Sequence, residues 1–335
     1  MRTTIDWLRD FTDIPADGRA LVEALTAEDC KVKIEETPAD SIAGVLSGKV
    51  VSIARHPSAV HLTVCRVDVG TGSLLQIVSE ASIVSAGDCV ITALAGATLP
   101  GGVVRQQVVH GVHSEGRLCS IQDLGYSRAE FPDAPATGVY ILLPDAPIGV
   151  DIRGLLGLDD LILEFEMDPE RPDCLSVEGA GREVARILGN EFRPVEPVVV
   201  AKSDQASSDY HAQLSEESEI LYSSCARVVT DVRLEPSPAW MQQRLRAAGI
   251  NPVTSYVDIS NYVTLELGQP IRLVDIRAIS GSEVHVLRED TTIIVALSHS
   301  DDQRVLDRAC ELIEQLDCGR VTRGTLRAEG DLPGS

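Results

Sequence analysis

The residue types that suggest chemistry first are the two histidines of "HGVH" (residues 110–113), because imidazole nitrogens bind metals and contact nucleic acid. On an extended strand, however, positions 110 and 113 fall on opposite faces, so the rings do not converge on one ion. That spacing favours a surface or RNA-facing role. "GAGREV" (179–184) begins like a dinucleotide fingerprint, but it lies within a helical pattern and lacks the third glycine. Close helix packing is the expectation there. The pairs Asp159-Asp160 and Asp301-Asp302 read as solvated acids or helix N-terminal caps. No nucleophile-elbow glycine pattern supports a Ser-His-acid triad. The eight cysteines include no Cys-x-x-Cys pair, so neither a zinc site nor a redox dithiol is indicated and reduced thiols are expected. On these grounds no catalytic residue and no metal ligand is assigned.

Cations offer a different chemistry. The chain carries 29 Lys and Arg against 51 Asp and Glu, a net charge of -22. That balance excludes indiscriminate nucleic-acid binding, since phosphate neutralisation supplies most of such affinity. Between Gly44 and Gly125 the balance changes. Lys49, Arg55, Arg66, Arg105 and Arg117 are matched by Asp68, Glu80, Asp88, Glu115 and Asp123, leaving a neutral segment inside an acidic protein. The segment also holds His56, His61, His110 and His113. If any part meets RNA, it is this one. The candidate contacts are Lys49, Arg55, His61, Arg66, Arg105, His110, His113 and Arg117. Aromatic content of only 4% leaves few rings for base stacking.

The elements that must position these residues are legible in outline. "IDWLRDF" and "GRALVEALTAED" read as short helices, the first with Ile5, Leu8 and Phe11 at helical spacing and the second capped by Asp17. "GKVVSIARH", "LTVCRVDVG", "LLQIVSEA", "DCVITALAG" and "QQVVHGVHSEGRLCS" read as five strands separated by turn residues, which suits a small five-stranded oligonucleotide-binding (OB) barrel. "GVYILLP" and "LILEFEMDP" read as further strands, and "CLSVEGAGREVARILG" as a helix begun by Asp173 and stopped by Gly189. The Pro-, Ser- and acid-rich stretch 194–218 reads as a linker. "SSCARVVTDVRL" reads as a strand. It precedes the helix "SPAWMQQRLRAAGI", with Ser237 as N-cap, Pro238 in the first turn and Gly249 at the end. "SDDQRVLDRACELIEQLDCG" is amphipathic, with Val305, Leu306, Ala309, Leu312, Ile313 and Leu316 on one face. The tail "TLRAEGDLPGS" reads as frayed.

The fold class expected is α+β and multidomain. Its parts are an N-terminal helical segment (1–43), an OB domain (44–150), a strand-helix segment packing with the N-terminal helices (151–193), the linker (194–218), a truncated α/β editing-like domain (219–300), and a C-terminal helix and tail (301–335). The N-terminus has no apolar core of signal-peptide type and no apolar run approaches spanning length, so a cytoplasmic location is expected.

Taken together, "TIDWLRDFTDI", the stretch from "GKVVSIARHPSAVHL" through "HGVHSEGRLCSIQDLG", "DPERPDCLSVEGAGREVARILG" and "PSPAWMQQRLRAAGINPVTSYVDISNYVTLELGQP" resemble, in order, the β subunit of bacterial phenylalanyl-tRNA synthetase. The resemblance runs almost continuously over 1–276, with a weaker echo over 301–334. It implies a tRNA-binding OB domain followed by the start of an editing domain. It also implies an α subunit as partner, to which the ATP and Mg chemistry would belong, and no cofactor in this chain. Departures accompany it. The family's "HPNADKL" is "HPSAVHL" here and its "CGAPNV" is "SEASIV", which places Val60, Ser79, Glu80 and Ile83 at polar or cationic positions. The histidine of the family's "GQPLHAFD" lines the pocket that hydrolyses mischarged tyrosyl-tRNA, and Arg272 of "GQPIRLVDI" stands at its position. Arginine stays protonated and relays no proton, so Arg272 marks a degenerate editing site. A structural ion pair with an acid such as Asp275 is its simplest role.

The expectation is therefore a truncated β-subunit-like protein that binds tRNA weakly through its barrel, with an incomplete editing site and no catalytic-like module, and that alone is not catalytic. The alternatives are a genuine β subunit working only with α, or a paralogue recruited to tRNA-dependent biosynthesis. Neither a membrane nor DNA is an expected partner.

Overall fold

The computed structural model describes residues 1–15, 18–80, 84–166, 171–208, 226–275, 293–297 and 303–325, with only the backbone of Asp173, Arg272, Val274, Asp275 and 293–297. The readings placed on Asp17, Ile83, residues 209–218 of the linker, Asp301-Asp302 and nearly all of the tail lie outside the described residues. So do those that concern the side chains of Arg272 and Asp275. The chain divides into two compact units, one of residues 1–34 with 161–335 and the other of 35–160.

Strand β1 (Arg2–Thr4) runs into helix α1 (Ile5–Arg9). Thr4 caps that helix, its Oγ1 accepting from the Trp7 backbone N–H at 3.1 Å. Helix α2 (Gly18–Ala27) and strand β2 (Val32–Ile34) follow.

The second unit then begins. Its strands are β3 (Ala43–Arg55), β4 (Thr63–Asp68), β5 (Leu74–Ser79), β6 (Cys89–Leu99), β7 (Gly102–Val103), β8 (Gln107–Val109), β9 (Val112–Ser114) and β10 (Gly116–Leu118). A short helix α3 (Ile152–Leu156) is capped by Asp151, whose carboxylate accepts from the Arg153 N–H at 2.9 Å. The main sheet has the order β10-β6-β3-β4-β5, all pairs antiparallel, with β7 paired to β6. Its inward face buries Val45, Val50, Cys65, Val67, Ile77, Cys89 and Ile91. The sheet curls until its edges meet, since the Glu115 N–H donates to the Gln76 carbonyl at 2.8 Å and the Val78 N–H to Ser114 Oγ at 3.0 Å.

Two strand expectations need correction. "QQVVHGVHSEGRLCS" is three short strands, β8 to β10, because a tight turn at 110–111 folds its first half back on itself. "GVYILLP" is not a strand and has only the single bridge Val90↔Ile141. Its amides are shared, Tyr140 N–H going to Cys119 O at 3.0 Å and Leu142 N–H to Cys89 O at 2.8 Å, so no continuous ladder forms.

The first unit resumes with β11 (Ile162–Phe165), which lies between β1 and β2 in a three-stranded antiparallel sheet. Helix α4 (Val177–Leu188) is capped by Ser176, not Asp173, with Ser176 Oγ accepting from the Gly179 N–H at 3.0 Å; a 3-10 turn at Pro172–Cys174 precedes it. Gly189 ends it at φ 67°, a left-handed conformation that glycine adopts without strain. The second "GAGREV" glycine does serve packing: a Cβ on Gly181 would stand 2.7 Å from Phe11 Cβ. Past α4, Val198 and Lys202 donate backbone N–H bonds to the carboxylates of Glu311 and Glu314, so this part of the linker reading is tied down.

Strand β12 (Ala226–Thr230), helix α5 (Ala239–Ala247), helix α6 (Ser255–Leu267), strands β13 (Ile271–Asp275) and β14 (Ile293–Leu297), helix α7 (Gln303–Gln315) and strand β15 (Arg320–Val321) complete the fold, with the antiparallel sheet order β13-β14-β12-β15. Pro238 occupies the N-cap of α5. Ser237 instead donates its hydroxyl to the buried Asp258 carboxylate, a partner that the linear sequence does not offer as a cap. Val305, Leu306, Ala309, Leu312 and Ile313 of α7 are buried as their spacing requires, against Tyr256, Ile259, Tyr262 and Val263 of α6. Trp7 stacks on Tyr262 at 4.7 Å between centroids, which joins α1 to that core. Each fully buried side chain of this size contributes about 1.5–3 kcal/mol from area burial. The mixed α/β architecture with several sheets agrees with the expected fold class.

Candidate nucleic-acid interface

The 35–160 unit brings two of its loops together. The β3–β4 connection (56–62) ends a long strand at His56-Pro57, where proline forbids further pairing. The β8–β9 hairpin turns at His110 and Gly111, with φ 44° and 86°. Both central residues are left-handed, as a two-residue type I′ hairpin turn requires. "HGVH" is thus not one strand: His110 is in the turn and His113 on β9 opposite Val108. Non-glycine residues seldom adopt a positive φ, so nothing in the sequence announced a turn at a histidine.

A buried histidine, which the sequence reading left out of its candidate contacts, latches the loops. His56 is 5% exposed, and its Nε2 lies 3.0 Å from the Val109 carbonyl while its Nδ1 accepts from the Ser58 N–H at 3.2 Å. An accepting Nδ1 makes Nε2 the protonated nitrogen, so Nε2–H donates to Val109. Ser58 Oγ donates to the His110 carbonyl at 3.1 Å, and the His56 and His110 rings meet edge to face at 6.1 Å. The exposed residues Arg55 and His61 therefore flank one loop, and the exposed His110 and His113 the other.

Lys49 and Arg66 are exposed on a different surface. Lys49 pairs in register with Asp68, two residues from Arg66 on β4, and Arg66 pairs with Gln76 on β5. Residues directly opposite and residues two apart share a face, so Lys49 and Arg66 both project from the outer face of the β3–β4–β5 sheet. Arg105 is exposed between β7 and β8, and no hydrogen bond or ion pair joins it to the other candidates.

Arg117 of β10 lies in a cleft of about 550 Å³ between the end of β5, the hairpin and the 137–139 segment. It is already paired, its Nη2 standing 2.5 Å from Asp123 Oδ1. Asp123 is itself anchored, its Oδ2 accepting from the Ser120 N–H at 2.9 Å and the Ser120 hydroxyl at 2.8 Å. The adjoining Cys119 thiol is pushed up to about 12, chiefly by burial and further by Asp123, which leaves it un-ionised and unreactive at neutral pH. The aromatic residues of this unit, Tyr126, Phe131 and Tyr140, pack edge to face on one another at 5.7 and 6.1 Å rather than forming an open stacking platform. The surface can thus offer cations, imidazoles and a mixed cleft, but little base stacking.

In the other unit, Arg272 lies on β13 with its backbone opposite Ala296 of β14, its side chain being outside the described residues. Among the described residues no group of three His, Cys, Asp or Glu could hold a metal ion. Nor is any described helix long and apolar enough to cross a membrane.

Residues 45–138 match a family model described as "Putative tRNA binding domain", and residues 222–313 match one described as "B3/4 domain". The phenylalanine–tRNA ligase beta subunit of Clostridium acetobutylicum is 36% identical over 311 residues, 91% of this chain and 39% of that protein. That of Methylococcus capsulatus is 40% identical over 293 residues, 85% of this chain and 35% of that protein. This chain therefore spans less than two fifths of the length of these relatives. An RNA ligase structure from Naegleria gruberi aligns over 86% of each chain at 11% identity with a TM-score of 0.24, which carries no argument.

Proposed function

From the premise that this chain is a member, by sequence, of the phenylalanine–tRNA ligase beta subunit family, we propose that it is an RNA-binding module that engages tRNA through residues 35–160. The observation that carries this reading is the pair of latched loops bearing Arg55, His61, His110 and His113 within the tRNA-binding match. The sheet order β10-β6-β3-β4-β5, with its edges in hydrogen-bond contact, supports the finer reading of a closed five-stranded OB barrel. Lys49 and Arg66 on the outer face and Arg105 beside the hairpin supply further phosphate contacts. With net charge -22 and no open aromatic platform, binding is weak and depends on a handful of charge contacts.

Filter binding of unfractionated tRNA from low to physiological salt tests this. Saturable binding that falls steeply with salt is expected, whereas no binding at the lowest salt overturns the reading.

A second reading, a β subunit that acts with an α subunit, is favoured by similarity over 85–91% of the chain to beta subunits, the B3/4 match included. In that case ATP and Mg serve the α subunit. Arg272 occupies the position of the editing histidine, so this chain clears mischarged tRNA poorly. Co-purification with an α subunit and charging of tRNA with phenylalanine would establish it; failure to associate counts against it.

A further inference from the structure

We propose that the cleft beside Arg117 is a nucleobase pocket that takes an unpaired guanine, and not a phosphate site. The proposal rests on the RNA-binding reading above and assigns one part of that surface a chemistry.

Charge argues first against phosphate. Arg117 is the cation among the lining residues, and Asp123 neutralises it through a carboxylate whose other oxygen Ser120 holds with two hydrogen bonds. Glu80, exposed just past the end of β5, also lines the cleft and has no hydrogen bond or ion pair to any described residue. The lining thus carries two carboxylates against one guanidinium, and a phosphate dianion entering it would meet a net negative field. Phosphates track instead along Lys49 and Arg66 or along the latched loops, where no acid among the described residues is hydrogen-bonded to the cations.

Shape and polarity then argue for a base. Leu62, Val78, Leu118 and Val139 give the cleft apolar walls against which a flat ring can lie, while a few polar groups converge on it. Apolar walls with sparse, fixed polar groups are the usual make-up of a small-molecule site. The Glu80 carboxylate selects a ligand edge with two adjacent donors. Among the four bases only guanine presents such a pair, N1–H and N2–H, which a carboxylate accepts together. Guanine also presents O6 and N7 as acceptors, the pair an arginine recognises best. Arg117 can serve them with N–H groups left over from Asp123, because a guanidinium has five. Asp123 is then a positioning residue that aims Arg117 into the cleft.

The test uses the full chain. Guanosine, cytidine and inorganic phosphate are titrated separately while the methyl resonances of Leu62, Val78, Leu118 and Val139 are followed, and the affinities of short oligo(G)-, oligo(A)- and oligo(U)-containing single strands are compared. The expected result is that guanosine alone shifts the cleft methyls, that a strand with an unpaired guanine binds roughly tenfold tighter than its adenine counterpart, and that Glu80→Gln abolishes the preference without weakening oligo(U) binding. Equal shifts by phosphate, or a guanine preference untouched by Glu80→Gln, overturn the pocket. Oligo(U) binding without any guanine preference overturns the pocket but leaves the RNA-binding reading standing. Guanosine shifts without binding of any strand support the pocket and overturn the RNA reading. Glu80 is exposed on the rim, so its substitution leaves the fold intact, which the unchanged spectrum of the remaining methyls verifies.

Discussion

At the scale of single residues, the candidate contacts differ in how free their charge is. Among the described residues no acid is hydrogen-bonded to Lys49 or Arg66, whereas Arg117 is committed to Asp123. Each phosphate neutralised steepens the salt dependence of binding by about 0.9 in log–log slope on duplexes and about 0.7 on single strands. Lys49→Gln with Arg66→Gln is therefore expected to lower the salt slope of tRNA binding by about 1.4–1.8, and Arg117→Gln by clearly less, in parallel salt titrations. His56 acts by position. His56→Ala removes the hydrogen bonds to the Val109 carbonyl and from the Ser58 N–H, a net loss of about 0.5–1.5 kcal/mol for each. Faster amide exchange confined to 107–114 and the β3–β4 connection is the expected signature. Asp258 is a third case, its carboxyl raised by burial more strongly than Ser237 and the Val253 N–H lower it. A carboxyl whose folded pKa exceeds its unfolded one stabilises the fold most fully below the unfolded value. It loses that contribution as pH rises through the folded value. Urea denaturation of Asp258→Asn should show a flatter stability profile than the unmodified chain across that acidic window; identical profiles would refute the assignment.

At the scale of elements, α7 is held by ion pairs as much as by its apolar face. Arg308 makes a two-pronged bond to Glu266 of α6 at 2.7 and 3.0 Å and a third bond to Glu311, and Arg304 grips Glu178 of α4 at 2.7 and 3.0 Å. Glu266 and Glu178 are almost wholly buried, so these pairs select one register of α7 against α4 and α6. Breaking such a pair leaves an uncompensated charge, while replacing both partners with apolar groups removes the problem. Arg308→Met is expected to destabilise by about 3–5 kcal/mol, and adding Glu266→Met to recover most of that, as read by chemical denaturation. The β8–β9 hairpin shows the opposite economy: a two-residue turn and one buried histidine suffice to place His110 and His113 beside the β3–β4 connection.

At the scale of the whole molecule, each unit has its own logic. The 35–160 unit closes a curled sheet over its own apolar interior and presents charge outward. The other unit joins the two ends of the sequence, Trp7 stacking on Tyr262 and Arg244 reaching from α5 to Asp10 at 2.6 Å and to the Tyr262 hydroxyl at 2.8 Å. Burial works against the charge on Arg244, but the Tyr262 hydroxyl and the Asp10 carboxylate together outweigh it, so the guanidinium stays charged at every relevant pH. On the proposed reading, a chain of net charge -22 meets RNA through its local neutral or basic surface, and that affinity is expected to fall with salt in proportion to the phosphates neutralised.

The amphipathic face of α7, the strand runs of β3 to β6 between their turn residues, the helix stops at Gly189 and Gly249 and the neutral segment around Lys49 to Arg117 were all determined by sequence alone. Each depends on local periodicity, backbone propensity or simple counting, none of which needs a distant partner. Tertiary structure alone decided that His110 turns a hairpin, that Ser237 serves Asp258 instead of a helix end, that His56 latches two loops and that Asp123 occupies Arg117. In every one of these cases the deciding hydrogen bond joins residues outside the reach of a helical or strand period, and its partner is chosen by which elements the fold brings within bonding distance.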